Sequence, residues 1–292
     1  MQAFLQGALS GLLIGGIYAL IALGLNIIFG TMRVINFAQG TLLMVAMFVS
    51  YWLWALAGVH PYISVLVSAP LLFAFGYLVQ LLLIQPLLVR EKAREPMSVL
   101  LLTLGLALVL ENLALLFFQA DYKSVQVPIS SETVKVAGII VSMPRLVGLA
   151  TMVAMAAALY GFFTRTDLGR AIRAVGQDRE VARLLGINDR HVYNIAFALG
   201  TGLMGVAGAM LVPFFYTYPA VGTTFILKAF VIVVLGGLGS MPGAAVGGLL
   251  VGLIEGVVGL YTEAAVAQVI LFGLFALMLF VRPRGLFGVE FK

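Results

Sequence analysis

The chain has 292 residues, of which 62% are hydrophobic and 10% charged, against about 45–50% and about 25% in an average soluble domain. A composition this apolar excludes a soluble globular domain, whose interior could not hide so much hydrocarbon, and makes the chain an integral membrane protein. The net charge of +5 bears on topology and not on nucleic acid, for which no binding is expected. With no cysteine, disulfides and thiolate chemistry are excluded. His60 and His191 lie far apart in sequence and form no metal-binding pattern.

The first apolar run lacks the leading positive charge and the small-residue cleavage site of a signal peptide. Its first charged residue, Arg33, lies beyond it, so it reads as a permanent span. A crossing helix needs about 20 mostly apolar residues, and candidates follow in chain order at 7–29, 37–56, 62–83, 97–118, 146–163, 192–212, 225–238, 243–260 and 264–281. The stretch 225–238 is short and contains Lys228, which allows a broken or half helix there. The expected fold is therefore an all-α polytopic bundle of eight or nine spans, forming a single transmembrane domain over 1–292.

Basic residues cluster in three connections: Arg90, Lys92 and Arg94; then Arg165, Arg170, Arg173, Arg179, Arg183 and Arg190; and finally Arg282, Arg284 and Lys292. Basic loops stay in the cytoplasm. With these three inside, all nine crossings alternate, the N-terminus lies outside, the C-terminus inside, and the segment 119–145 faces outward. In that segment Val134 and Val136 alternate with polar residues, and Ala137-Gly138 can turn the chain before Ile139-Ile140-Val141, a hairpin signal.

Gly7, Gly11 and Gly15 recur at four-residue spacing, as do Gly248, Gly252 and Gly256. Small residues so spaced let helix backbones approach closely, either within this bundle or against another subunit. Two glycine-bounded turns, 24–40 and 236–248, each join an inward-running span to an outward-running one. They hint at a weak internal repeat, the device from which many transporters build their sites.

The segment 164–192 is longer and more charged than a helix–helix connection requires. Asp178 suits an N-cap for a short helix from Arg179 to Leu185, with Glu180 in its first turn and Gly186 as its stop. Val181, Leu184 and Leu185 fall on one side of that helix, and Arg179 and Arg183 on another. Such a helix either rests on lipid headgroups or docks a cytoplasmic partner.

Glu180-Val181-Ala182-Arg183-Leu184-Leu185-Gly186 resembles the EAA-x-x-x-G loop of ATP-binding-cassette (ABC) importer permeases. Val181 stands at the second motif position, Ile195 matches the isoleucine nine residues on, and Phe197-Ala198 replaces the usual Leu-Pro. Gly169-Arg170-Ala171-Ile172-Arg173-Ala174, Asn36-Phe37-Ala38-Gln39-Gly40 and the 236–248 turn are similar to the high-affinity branched-chain amino acid permeases within that group. The resemblance covers essentially the whole chain. It implies a non-enzymatic subunit that carries amino acids, or urea and short amides, which similar permeases take. It further implies a second related permease, two cytoplasmic ATPases that bind ATP and Mg²⁺, an extracytoplasmic binding protein, and a place in the bacterial inner membrane. Gly169, Arg170, Arg173, Asp178, Arg179, Glu180, Ala182, Arg183 and Gly186 would couple the chain to the ATPases. The sequence has no G-x-x-x-x-G-K-[ST] phosphate loop, so no cofactor is expected in this chain.

Ionisable groups inside spans are expensive and are functional candidates by default. Glu111 lies roughly 21 Å into the fourth span at about 1.5 Å per residue, beside Asn112. With Asn26, Asn36, Gln39, Thr41 and Glu255 they are candidates to line a pathway. The alternatives are helix-to-helix hydrogen bonds for Glu111 and Glu255, and turn capping for Asn36 and Gln39. Lys228, near an outer end, is expected to snorkel. A proton-coupled secondary transporter using Glu111 and Glu255 is a rival class, against which the 180–186 motif stands. No H-E-x-x-H or G-x-S-x-G occurs, which argues against an intramembrane enzyme.

Overall fold

The computed structural model describes residues 2–90, 96–136, 139–282 and 285–288. Lys92, Arg94, Arg284, Lys292 and the Ala137-Gly138 turn fall outside the described residues. The elements run α1 (Gln2–Met32), α2 (Gln39–Ala57), α3 (Val65–Val79), a π-helical turn (Gln80–Ile84) and α4 (Gln85–Arg90), then α5 (Pro96–Phe118) and α6 (Pro128–Ser131). A two-stranded antiparallel hairpin follows, β1 (Thr133–Val136) with β2 (Ile139–Ser142), paired Val136 to Ile139 and Thr133 to Ser142. Then come α7 (Met143–Arg165), α8 (Asp167–Gln177), α9 (Arg179–Leu184), α10 (Asp189–Leu211), α11 (Val221–Gly236), α12 (Met241–Tyr261) and α13 (Ala264–Val281).

Seven helices among the described residues are long and apolar enough to cross a membrane, and α11 and α13 are shorter apolar helices. The all-α polytopic bundle is thus the fold, with the β hairpin as a small addition. The stretch expected to break near Lys228 is a continuous helix of 16 residues, displaced toward the N-terminal side of the reading from sequence. α10 starts three residues earlier than its apolar run because Asn188 caps it, the side-chain oxygen accepting from the His191 N–H. Hydropathy cannot see such a start, because the first turn is polar.

α1 and α10 form the centre and are buried on nearly every side, as expected of helices that are apolar all round. α1 packs along α12, and α10 along α3. The two glycine series interlock: Gly7, Gly11 and Gly15 meet Gly256, Gly252 and Gly248 in turn, so the helices run antiparallel with backbone against backbone. A Cβ on Gly15 would stand 2.8 Å from the Gly248 carbonyl oxygen, nearer than side chains tolerate. The seam lies within this chain, and no second subunit is needed to account for the glycines.

The bundle has two distinguishable ends. At one, the Gln6 side-chain amide donates to the Ile140 carbonyl at 2.5 Å and accepts from its N–H at 2.8 Å, tying the start of α1 to β2. Lys123 and Thr217 exchange backbone hydrogen bonds at the same end, joining the connections that follow α5 and α10. At the other end the last turn of α1 lies between α8 and the turn after α11, with Gly30 against Gly176 on one side and Gly239 on the other. The Leu286 and Phe287 N–H groups donate there to the Leu235 and Gly236 carbonyls at 2.8 and 3.0 Å.

Candidate functional site

The segment between α7 and α10 folds from local signals. The Thr166 hydroxyl caps α8 by accepting from the Gly169 N–H at 3.0 Å. Gly169 turns the chain so tightly against the Phe162 and Phe163 backbone that no Cβ fits. Ile172, Val175 and Gly176 face inward while Arg170, Arg173 and Gln177 face out. Gly176 lies against the Gly30 carbonyl, and the Arg33 guanidinium donates to the Gln177 carbonyl at 3.2 Å, which seats α8 on the end of α1. Arg170 pairs with Asp167. The 169–174 motif lies within α8.

α9 forms as expected. The Asp178 carboxylate accepts from the Glu180 and Val181 N–H groups at 2.9 and 3.1 Å. Gly186 stops the helix at φ +82°. The Ile187 N–H reaches back to the Ala182 carbonyl at 3.0 Å, and the Gly186 N–H to that of Arg183, which closes the last turn. Nothing crowds Gly186, so its backbone conformation, not packing, requires glycine. Ala182 is buried, Glu180 is exposed, and Leu184 and Leu185 stand 87% and 74% exposed beside half-exposed Val181.

What holds α9 in place is a residue that sequence reasoning missed. Asp189, at the first position of α10, is buried and accepts from Arg179 Nε and Arg183 Nη2, both at 2.7 Å. Arg179 also lies 5.1 Å from the Tyr193 ring centroid. The Asp189 hydrogen bond keeps the Arg183 guanidinium protonated beyond its ordinary range. Arg179 and Arg183 are therefore fastened to α10. The only signal was an acid close in sequence to two arginines, and the contact itself depends on how α9 folds back on α10.

Inside the bundle, the Asn36 side chain accepts from the Ala38 N–H at 3.0 Å and donates to Gln39 Oε1 at 3.0 Å. Gln39 Nε2 in turn donates to the Gly200 carbonyl at 3.1 Å, and the Thr41 hydroxyl to that of Ala38 at 2.9 Å. These three cap the turn before α2 and tie it to α10. Asn26 bridges the two glycine-bounded turns, donating to the Ser240 carbonyl at 2.5 Å and accepting from the Gly239 N–H at 2.6 Å. Glu111 is half-buried on α5. Asn112 is exposed within this chain and bonds its own helix at Leu108, 2.8 Å away. α5 lies at the rim, so the chain alone does not enclose these two.

Lys228 does not snorkel. Its ammonium donates to Glu255 Oε1 at 2.6 Å and to the Tyr18 hydroxyl at 2.9 Å, 4.7 Å from the Tyr18 ring centroid. The correction has a physical reason: a carboxylate on the next helix is a nearer partner than the membrane surface. A second feature outside the sequence reading is Gln80, buried at the π-helical turn with neither amide atom hydrogen-bonded. Ser68 bonds Gly205, and Thr201 bonds Leu72; the same antiparallel register brings Gln80 level with Tyr193 and Asn194, whose Oδ1 also lacks a donor. Among the described residues no three metal-ligating side chains converge.

A multi-span bundle with polar groups along its interior and an amphipathic helix presented at one end is the architecture of a membrane permease. The family model described as branched-chain amino acid transport system, permease component, matches residues 7–281, and the chain belongs to this family. It is 32% identical to the high-affinity branched-chain amino acid transport system permease protein LivH of Salmonella typhimurium, over 98% of this chain and 96% of that one. It is 31% identical to the corresponding protein BraD of Pseudomonas aeruginosa, with the same coverage. The permease protein LivM of Escherichia coli is 32% identical over 124 residues, which are 42% of this chain and 29% of LivM. No solved structure matches significantly.

Proposed function

We propose that this chain is one of two membrane-spanning permease subunits of an ABC importer for branched-chain amino acids. It lies in the bacterial inner membrane with its N-terminus outside and its C-terminus in the cytoplasm. A binding protein delivers substrate to the face that carries the β hairpin. Two ATPases, which hold ATP and Mg²⁺, act on the opposite face through α9.

The observation that carries this reading is α9 itself. A capped helix of six residues is too short to be stable alone, yet Asp178, Gly186 and Asp189 hold it with Leu184 and Leu185 outward. A groove on a partner would bury that face. The names of the relatives support the cargo, and the partial likeness to LivM supports a pair of related permeases. Because the basic 165–190 segment lies at the α9 end of the bundle, the charge rule and the docking role give the same orientation.

The test is Gly186→Asp and Glu180→Lys in the assembled transporter. Both should leave the permease folded in the membrane, weaken co-purification of the ATPases and abolish ATP-dependent uptake into vesicles. Normal ATPase binding and transport in both variants would show that α9 is not the coupling element, and a helix resting on lipid headgroups would become the better account.

A further inference from the structure

Lys228 and Glu255 form an ion pair whose bonding capacity the fold leaves partly open. An ammonium has three donors, of which one reaches Tyr18 and one Glu255 Oε1. The second carboxylate oxygen, Glu255 Oε2, is buried without a donor. A spare donor and a spare acceptor therefore stand side by side on the two partners of one ion pair. The side chains retain 15% and 33% of their exposure, so the pair is not sealed.

Its depth is apolar. Glu255 lies roughly 21 Å along α12 from Met241, and Lys228 roughly 10 Å along α11 from Val221, in the half of the bundle nearer the Lys123–Thr217 bridge. A staple between helices does not account for the pair. The glycine seam already fixes α12 to α1, and Gly236 against Gly243 fixes it to α11. Packed apolar residues hold helices together as well as a desolvated ion pair does, and without leaving a carboxylate oxygen unmatched.

The geometry points to Lys228 and Glu255 as a transient subsite for a zwitterionic head group, the substrate carboxylate on Lys228 and its ammonium on Glu255. The assignment rests on the amino-acid permease reading above. A zwitterion brings one charge of each sign, so the net charge at this depth stays unchanged. Each contact of the pair that opens is replaced by one of the same kind. The exchange is nearly balanced, which suits a pathway that must release what it binds. A solute carrying only one charge would leave Lys228 or Glu255 unmatched in a medium of low dielectric, where that is costly. The pair therefore selects against simple carboxylates and simple amines, whereas a neutral amide would make only the weaker uncharged bonds.

The experiment uses the complete transporter, with permease partner, ATPases and binding protein, in proteoliposomes. K228Q/E255Q preserves size and hydrogen bonding and removes both charges. Leucine uptake at saturating binding protein should fall about tenfold or more, the loss expected of a charge-assisted bond. Assembly and the ATPase rate stimulated by loaded binding protein should persist, and K228R should retain uptake. Uptake by K228Q/E255Q equal to wild type would overturn the subsite. A second measurement stands if that variant fails to assemble. Radiolabelled leucine bound to the wild-type complex in nanodiscs, without binding protein, should be displaced by other zwitterionic amino acids and not by 4-methylpentanoate or isopentylamine. Equal displacement by those two would overturn the proposal. Wild-type vesicles that import urea but no branched-chain amino acid would refute the underlying transport reading, and would do so before any substitution is made.

Discussion

Asp189 shows how much of the seating of α9 can rest on one carboxylate. It accepts from two arginines on α9 while belonging to α10, so it ties α9 to the central helix. Asp189→Ala should leave both guanidinium groups without their acceptor, at about 1.5–3 kcal/mol per charge-assisted bond before solvent screening of the half-exposed arginines reduces it. The expected outcome is a folded permease that still binds ATPase but couples poorly, read as ATP hydrolysis per leucine transported. Gly186→Ala isolates the backbone contribution: a left-handed residue with a Cβ costs about 1–2 kcal/mol, measurable as faster proteolysis within 178–188. Asp178, Glu180 and Gly186 were legible in the sequence because a cap and a stop are local. The ties of Asp189 to Arg179 and of Lys228 to Glu255 were not, because each requires helices to be brought together. Composition marked Lys228 and Glu255 separately as anomalies, and only packing shows that they are partners.

Among the elements, α1 and α12 display the strongest correspondence between pattern and structure. Glycine at four-residue spacing on both helices predicts close approach, and the two series meet residue for residue. Gly11→Leu should be among the most damaging substitutions in the chain. Overpacking typically costs about 1–3 kcal/mol, and here the obstacle is backbone, which cannot rotate aside. Loss of membrane-integrated protein on expression would check this, with Gly105→Leu, which meets open space on α5, as the control. The spans were legible as apolar runs of the right length. Their ends were not, since α10 and α7 begin with polar or proline-containing turns. The π-helical turn after α3 left no periodic trace, because one extra residue in a mostly apolar run barely changes its hydropathy.

For the molecule as a whole, hydrogen bonds between distant segments sort the connections to two ends. Gln6, Ile140, Lys123 and Thr217 belong to one, and Arg33, Gln177, Leu286 and Phe287 to the other. Single cysteines at Ser124 and Gln177, both exposed, should therefore label from opposite sides of intact cells, Ser124 from outside. Labelling of both from the same side would contradict the fold itself, and labelling of Gln177 alone from outside would reverse its orientation. Charge counting along the chain reached the same division because each basic loop is short enough to be read without knowing its neighbours.

The glycine seam also limits what kind of motion the chain can undergo. Two helices meeting through bare backbone at four-residue intervals behave like a rack with one tooth per turn. A slip of one residue would bring Leu12 or Leu253 into the seam, and the next setting that realigns the glycines lies about 6 Å away. That slip would pull Asn26 from Ser240 and Gly239. Gradual sliding between α1 and α12 is thus forbidden, and the two must travel as a single plank.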